Sequence, residues 1–272
     1  KLGIPVLREF FGEALAKRLA SERRQADLIV GNNVYAHVPD INDFTMGLKA
    51  ALKCGGTITL EFPHLKKLIE NNQFDTVYHE HFSYFSFITV QKIFNFHGLE
   101  IFDVEEISTH GGSLRIFVQH HNNKQNQMND SIENLIKKEK DHGLDKISTY
   151  QNFSEKIQNV KKKLNDFVEL ANKEGKSIVC YGAPAKGNTL LNFCGINKEQ
   201  IDFVVDRSPY KQGLFLPGSH IPIKSVEAIQ EAKPDYIIIL PWNIKDEIMK
   251  QISFVTNWGG KFVIPIPEVK IL

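Results

Sequence analysis

Cysteine is scarce in this 272-residue chain: Cys54, Cys180 and Cys194 are widely separated. Their number and spacing exclude a disulfide framework and the paired CxxC ligands of a zinc site. Three buried thiols in a reducing cytoplasm are expected. An excess of one charge is missing too, since Lys+Arg 33 against Asp+Glu 32 leaves a formal charge of +1. No global field then favours nucleic acid or an anionic membrane, so any anionic ligand must be held locally. No apolar run approaches the ~18 residues of a membrane span, and the opening KLGIPVLREFF lacks the charged-then-apolar order of a secretory signal. A cytoplasmic protein without nucleic-acid or membrane partners is expected, and its oligomeric state is not legible.

What is present is enough apolar material, 42% of residues, for a sizeable core. The length suits two domains at roughly 100 to 200 residues each. KLGIPVLREFFGEALAKRL reads as a strand followed by a helix, as though the sequence began inside a domain. The stretch ADLIVGNN is a short strand ending in turn formers, Ile41 to Leu52 has helical spacing, and CGGTITLEFP is a β-branched strand closed by Pro63. Strand, helix, strand at this spacing predicts a parallel α/β sheet. A helix near Thr89 to His97 and an antiparallel hairpin, Glu100 to Ile107 and Ser113 to Gln119 around THGG, should follow. From Asn122 to about Gly175 the composition turns to Lys, Asn, Gln, Glu and Asp with apolar residues every three or four positions, which predicts a helical connector. Strand chemistry resumes in SIVCYGAPAKG, DFVVDRS, DYIIILPWN and KFVIPIPEV, a second α/β domain.

Several stretches could carry chemistry. In SIVCYGAPAKGNTLLNF a buried-type strand enters a Gly-Ala turn and then a helix. Such a turn can cradle phosphate on helix N-terminal N–H groups, with Lys186 adding charge, but it is equally an ordinary strand-to-helix turn. Asp206, about 20 residues on, is placed as a ribose-binding acid would be. In THGGSLR, His110 and Arg115 read first as a plain hairpin. Asn32, Asn33 and His37 lie just beyond a strand's carboxyl end, where ligands sit in open α/β sheets. VYHEHF, if extended, puts His79 and His81 on one face and Tyr78 and Glu80 on the other. That pattern suits a general base beside a carboxylate, a metal site completed by His110, His37 or Glu61, or a hydrogen-bonded structural cluster. Local spacing leaves all three open.

Taken in order, IPVLREFFG, ADLIVGNNVYAHVPDINDF, GGTITLEFPHL, FDTVYHEHFSYFS, HGGSLRIF, YGAPAKGNTLLNFCGI, LPGSHIPI, LPWN and PEVKIL resemble the S-adenosylmethionine-dependent C-methyltransferases of nucleotide-linked keto-deoxysugars, over nearly the whole chain. The resemblance implies an α/β protein: part of a class I, Rossmann-like methyltransferase domain over 1–121, a helical connector over 122–175, and a Rossmann-like nucleotide-sugar domain over 176–272. It also implies S-adenosylmethionine as cofactor, with zinc confined to an N-terminal module that this sequence does not contain and no metal in the residues present. By the same resemblance His81 is the base that removes a proton next to a ketone, with Glu80, Tyr78 and His37 around it. Asn33 and Val34 face the methionine half of the cofactor, and Phe10 and Phe11 its adenine. For the nucleotide sugar the candidates are Tyr181, Lys186, Asn188, Asp206, Lys211, His220 and Trp242. The sequence has no first strand with a glycine-rich cofactor loop and no second strand with a ribose acid. It therefore reads as a truncated piece of a longer enzyme, with apolar sheet edges exposed and cofactor binding in question. A non-catalytic nucleotide-sugar module is the alternative, and a nicotinamide oxidoreductase using YGAPAKG and Asp206 ranks behind both.

Overall fold

In a computed structural model, which describes residues 3–123 and 125–272, the chain is α/β throughout and divides into two units. One comprises the chain up to Lys67 with Glu80–Lys146, the other Leu68–His79 with Ile147–Leu272.

The first unit opens on α1 (Glu13–Ser21), β1 (Ala26–Asn32), α2 (Ile41–Ala51), β2 (Leu52–Pro63) and the start of α3 (Leu65–Glu70). It continues through α4 (Phe87–Phe96), β3 (Leu99–Ile107), β4 (Ser113–His120) and α5 (Ser131–Asp141). The strands order β1-β2-β4-β3, with β1 and β2 parallel and β4 antiparallel to both its neighbours. The parallel pair and the hairpin are thus as expected. The opening strand is not: residues 3–10 form no strand before α1. Its apolar Ile4, Val6 and Leu7 are exposed, so they lack the burial that stabilises an apolar strand.

Helix entry follows local chemistry, since the Asp40 carboxylate accepts from Asn42 N and Asp43 N at 3.0 Å and caps α2. The core forms around Tyr35, whose ring lies 5.1–6.0 Å from those of Phe44, Phe62, Phe85 and Phe94. The Tyr35 hydroxyl meets Thr45 Oγ1 at 2.9 Å, so the one polar atom of this ring is satisfied. Tyr35→Phe should lower stability by about 1 kcal/mol, the loss of one buried hydrogen bond. Tyr35→Ala should lower it by about 3–5 kcal/mol, the loss of a large core side chain, with urea unfolding as the measurement. At the other side of the sheet β1 is an edge among the described residues, with Leu28 and Val30 more than half exposed.

The second unit contains α6 (Ile147–Lys173), β5 (Ile178–Tyr181), α7 (Ala185–Cys194), β6 (Val204–Val205), β7 (Ile223–Lys224), α8 (Ala228–Ala232), β8 (Tyr236–Ile239), α9 (Lys245–Gln251), β9 (Lys261–Ile264) and β10 (Lys270–Ile271). Strand order is β10-β9-β8-β5-β6-β7, parallel except for the β9–β10 pair. From β5 the chain winds first toward β6 and β7 and later returns to β8 and β9 on the other side, so a switch point lies beyond the carboxyl ends of β5 and β8. Gly182 makes that turn with φ +84°, and a Cβ there would lie 2.5 Å from Pro241. The segment expected as a connector has two parts. α5 packs on β3 and α4 of the first unit, whereas α6 buries Val160, Leu164, Val168 and Ala171 in the second. Segment 68–79 also belongs to the second unit, with Phe74 on Phe193 at 5.1 Å and Asn72 Nδ2 donating to the Pro267 carbonyl at 2.9 Å.

Of the three thiols, Cys180 and Cys194 are buried as expected, and burial raises the Cys194 pKa to about 11. Cys54 is exposed, because it lies on the outward stretch at the start of β2. Among the described residues no helix is long and apolar enough to cross a membrane.

Candidate functional site

In the first unit the carboxyl ends of β1 and β2 bring polar side chains together. Asn33 leaves β1 with φ +54° and donates its N–H to the Glu61 carbonyl at 2.9 Å. Its Nδ2 lies 2.9 Å from Nε2 of His110, itself at φ +54°. Two non-glycine residues in the left-handed region at one sheet end mark a place where local comfort yields to something else. Glu61, nearly buried, accepts from Thr109 Oγ1 at 2.8 Å and from Arg115 at 3.2 Å. The hairpin turn is therefore wired into the sheet end rather than being only a turn.

A 3-10 turn over Tyr35–His37 then presents His37. Its Nδ1 lies 2.9 Å from the Glu80 carbonyl, which can only accept, so Nδ1 carries the proton. The His37 and His81 rings sit 4.7 Å apart, and His81 meets Tyr84 edge-on at 5.9 Å. Residues 78–80 form a turn, not the extended run that period-two spacing presumes. A run of polar residues without a paired strand has nothing to keep it extended, so His81 is partnered with His37 and Tyr84 instead of sharing a strand face with His79. Tyr78 meets His79 edge-on at 6.4 Å, and both belong by their contacts to the second unit. Val34 is exposed beside Asn33, and Phe10 is fully exposed. Phe11 instead packs edge-on against Phe44 at 5.2 Å, so it serves the core. Spacing alone gave no sign of Tyr84 as a partner; Arg115 was legible only as a hairpin residue, and His110 as a turn residue or a metal ligand. Among the described residues no three His, Cys, Asp or Glu side chains cluster as metal ligands. A cavity of about 740 Å³ opens at the opposite, amino end of the sheet near Gln25, Leu52, His97 and His120, away from the histidine pair.

The second unit's candidates separate into distinct places. Asp206 Oδ2 accepts from Ala183 N at 2.7 Å and Oδ1 from Ser208 N at 2.8 Å, while Lys211 Nζ donates to the Ala183 carbonyl at 2.9 Å. Both side chains brace the loop after β5, with the Asp206 carboxylate accepting from two backbone N–H groups and lying 3.4 Å from Lys211 Nζ. At the switch point Lys186 Nζ lies 4.2 Å over the Trp242 ring and bonds Asn243 Oδ1, and burial lowers the Lys186 pKa. Trp242 Nε1 donates to Asp75 Oδ2 at 2.7 Å, whereas buried Asp75 Oδ1 has no hydrogen-bond partner. Burial raises the Asp75 pKa to about 6 against the opposing pull of Trp242 and Lys186. Tyr181 lies at a separate pocket of about 330 Å³ lined with Arg207, Gln212, Glu227, Gln251 and Phe254. Asn188 bonds Asn192, one turn along α7, and His220 is exposed in a left-handed turn, φ +54°. Asp75 had no sequence signal beyond its place in the stretch FDTVYHEHFSYFS.

Comparison with known proteins bears on the family of the chain. A C-methyltransferase NovU from Streptomyces niveus is 35% identical over 271 residues, which covers 99% of this chain and 64% of that protein. The chain thus spans somewhat less than two thirds of that relative's length. A SAM-dependent methyltransferase structure from Anabaena variabilis ATCC 29413 superposes at a TM-score of 0.34 with 15% identity, over 42% of this chain and 57% of that one, too slight a likeness to carry weight. Residues 108–267, more than half of the chain, match the family model described as the C-methyltransferase C-terminal domain, and the chain belongs to the C-methyltransferase family.

Proposed function

We propose that the protein transfers a methyl group from S-adenosylmethionine to the carbon next to the ketone of a nucleotide-linked ketosugar, with His81 as the base. The observation that supports it most directly is the His37–His81 pair, 4.7 Å between rings, in the same unit as the polar sheet end built by Asn33, Glu61 and His110. A C–H bond is not a nucleophile, so the carbon must first lose a proton. Imidazole is suited to take it because histidine ordinarily titrates near neutrality. The electron pair moves into the C–C bond and onto the ketone oxygen, which needs a donor already aimed at it. With its Nδ1–H held by the Glu80 carbonyl, His37 can donate to the enolate oxygen only from Nε2, and only as the imidazolium. Glu80 and Tyr78, flanking in sequence, complete the expected set.

The methyl donor's site fits in part. Asn33 and Val34 offer a polar amide and an exposed apolar side chain just beyond β1, and Phe10 offers an exposed ring. S-adenosylmethionine would supply the electrophilic methyl carbon that the enolate carbon attacks. Two sites in the second unit suit the nucleotide. Lys186 at the start of α7 provides a cation where helix N–H groups favour a diphosphate, and the Tyr181 pocket provides aromatic and amide groups for a nucleoside.

The test is calorimetric titration of this chain with thymidine diphosphate and, separately, with S-adenosylmethionine. Diphosphate binding is expected, and Lys186→Ala should weaken it by about tenfold, the loss of one charge-assisted contact. No binding of the diphosphate by the wild-type chain would sink the assignment of the second unit. Diphosphate binding in a protein that never turns over substrate would instead favour the non-catalytic binding reading.

A further inference from the structure

α5 has its apolar stripe at Ile132 and Leu135, yet the next position on that stripe is Glu139, which is fully buried. A charged residue where the helical period calls for an apolar one breaks the local pattern, and such breaks concentrate where a protein needs something other than packing. Its surroundings show what is served. Glu139 Oε1 accepts from Phe87 N at 2.6 Å and Oε2 from Ile88 N at 3.0 Å, the first two N–H groups of α4. His64 Nε2, 1% exposed, lies 2.8 Å from the same carboxylate. Ser86 covers the next N–H, that of Thr89, at 3.2 Å. A side chain from a helix some fifty residues away thus replaces a local cap for two donors, and a histidine from the end of β2 holds the carboxylate in place.

The segment that ends at this cap is the one carrying His81. Residues 81–84 have no regular secondary structure, and their ordering depends on point contacts. At the near end Phe82 N and Ser83 N both donate to the Ala36 carbonyl, and the Glu80 carbonyl engages His37. At the far end Leu65 N donates to the Phe85 carbonyl, and His64 pairs with Phe85 in an isolated bridge. His64 therefore touches both the carboxylate that caps α4 and the last residue of the loop.

We propose that Glu139 and His64 are positioning residues that clamp the Glu80–Phe85 loop and so hold His81 against His37. The link to chemistry rests on the reading of His81 as the base; the link to loop order does not.

The test uses the chain with Glu139→Leu, which restores the apolar stripe but leaves the Phe87 and Ile88 N–H groups without an acceptor, and with Glu139→Gln, which keeps the shape and one acceptor oxygen and should fold even if the first does not. Amide exchange across 81–88 is expected to rise roughly tenfold or more while exchange in β5 and β8 stays unchanged. His81 should react faster with diethylpyrocarbonate, and the His37 and His81 ring resonances should move in NMR spectra as the 4.7 Å pairing loosens. His64→Gln, whose amide can still donate to the carboxylate, should restore most of the protection lost in His64→Ala. Wild-type exchange and His81 reactivity in folded Glu139 variants would overturn the proposal. A loosened loop with methyl transfer undiminished would leave the clamp standing and remove His81 from its place as base, which His81→Ala would then confirm independently.

Discussion

His81→Ala is expected to lower methyl transfer by about 10²–10⁴-fold, the range that a positioned general base contributes. Binding of the nucleotide portion should be unaltered, because the groups that would hold it, Lys186 and the Tyr181 pocket, lie in the other unit. The base step can also be read without a methyl donor. In deuterated water the wild-type protein should exchange the proton next to the ketone of a bound ketosugar, and His81→Ala should not. Loss of transfer with deuterium exchange intact would move the base elsewhere, with His37 the nearest candidate at 4.7 Å between rings. A His37→Ala protein should lose exchange and transfer together, since both pass through the enolate whose oxygen it would steady.

Asp75→Asn is expected to stabilise the second unit at pH 8 by about 1–2 kcal/mol and to do little near pH 4.5. Asp75 is fully buried, with one oxygen on Trp242 Nε1 and the other unpartnered. Burial raises its pKa from 3.8 to about 6. An acid whose pKa rises on folding holds its proton more tightly in the native state, so between pH 3.8 and about 6 the native protein binds more protons than the unfolded chain. Its contribution to stability is present below that window, declines as pH rises through it, and is level above. The full decline amounts to roughly 3 kcal/mol, as an order of magnitude. Asparagine accepts from Trp242 without the charge, so the decline should vanish, although its amide N–H groups in the unpartnered position offset part of the gain. Urea unfolding at pH 4.5 and pH 8 measures this directly, because both tryptophans, Trp242 and Trp258, lie in the second unit and report its unfolding. A parallel pH dependence in wild type and Asp75→Asn would refute it. Were Asp75 to hold its charge through a strong pair with Lys186, the variant would instead lose stability at pH 8.

The periodic elements were legible because they follow from short-range sterics and burial. Alternating or continuous apolar runs became β1, β2, β5, β8 and β9, whereas the Asp40 and Ser86 caps, not read from the sequence, set where α2 and α4 begin, α4 two residues before the expected Thr89. Legibility failed where apolar character lacked a burying partner, as at residues 3–10, and where polar residues had no period, as at 78–80. At Phe11 and Asp206 the residue type suits a ligand while the fold also gives each a neighbour, Phe44 and the Ala183 N–H. No local pattern distinguishes a ring that stacks on adenine from one that fills a core.

By itself, then, the sequence determined the α/β class, the order of strands and helices, and the family, because those depend on periodicity and on an ordered set of motifs along the chain. Only tertiary structure decided which histidine faces which, that His37 carries its proton on Nδ1, that Glu139 reaches across from α5 to cap α4, and that Asp75 sits buried beneath Trp242. Each of these is a contact between residues some thirty or more positions apart, fixed by how helices and strands pack, and side-chain chemistry carries no record of which distant partner packing will bring to it.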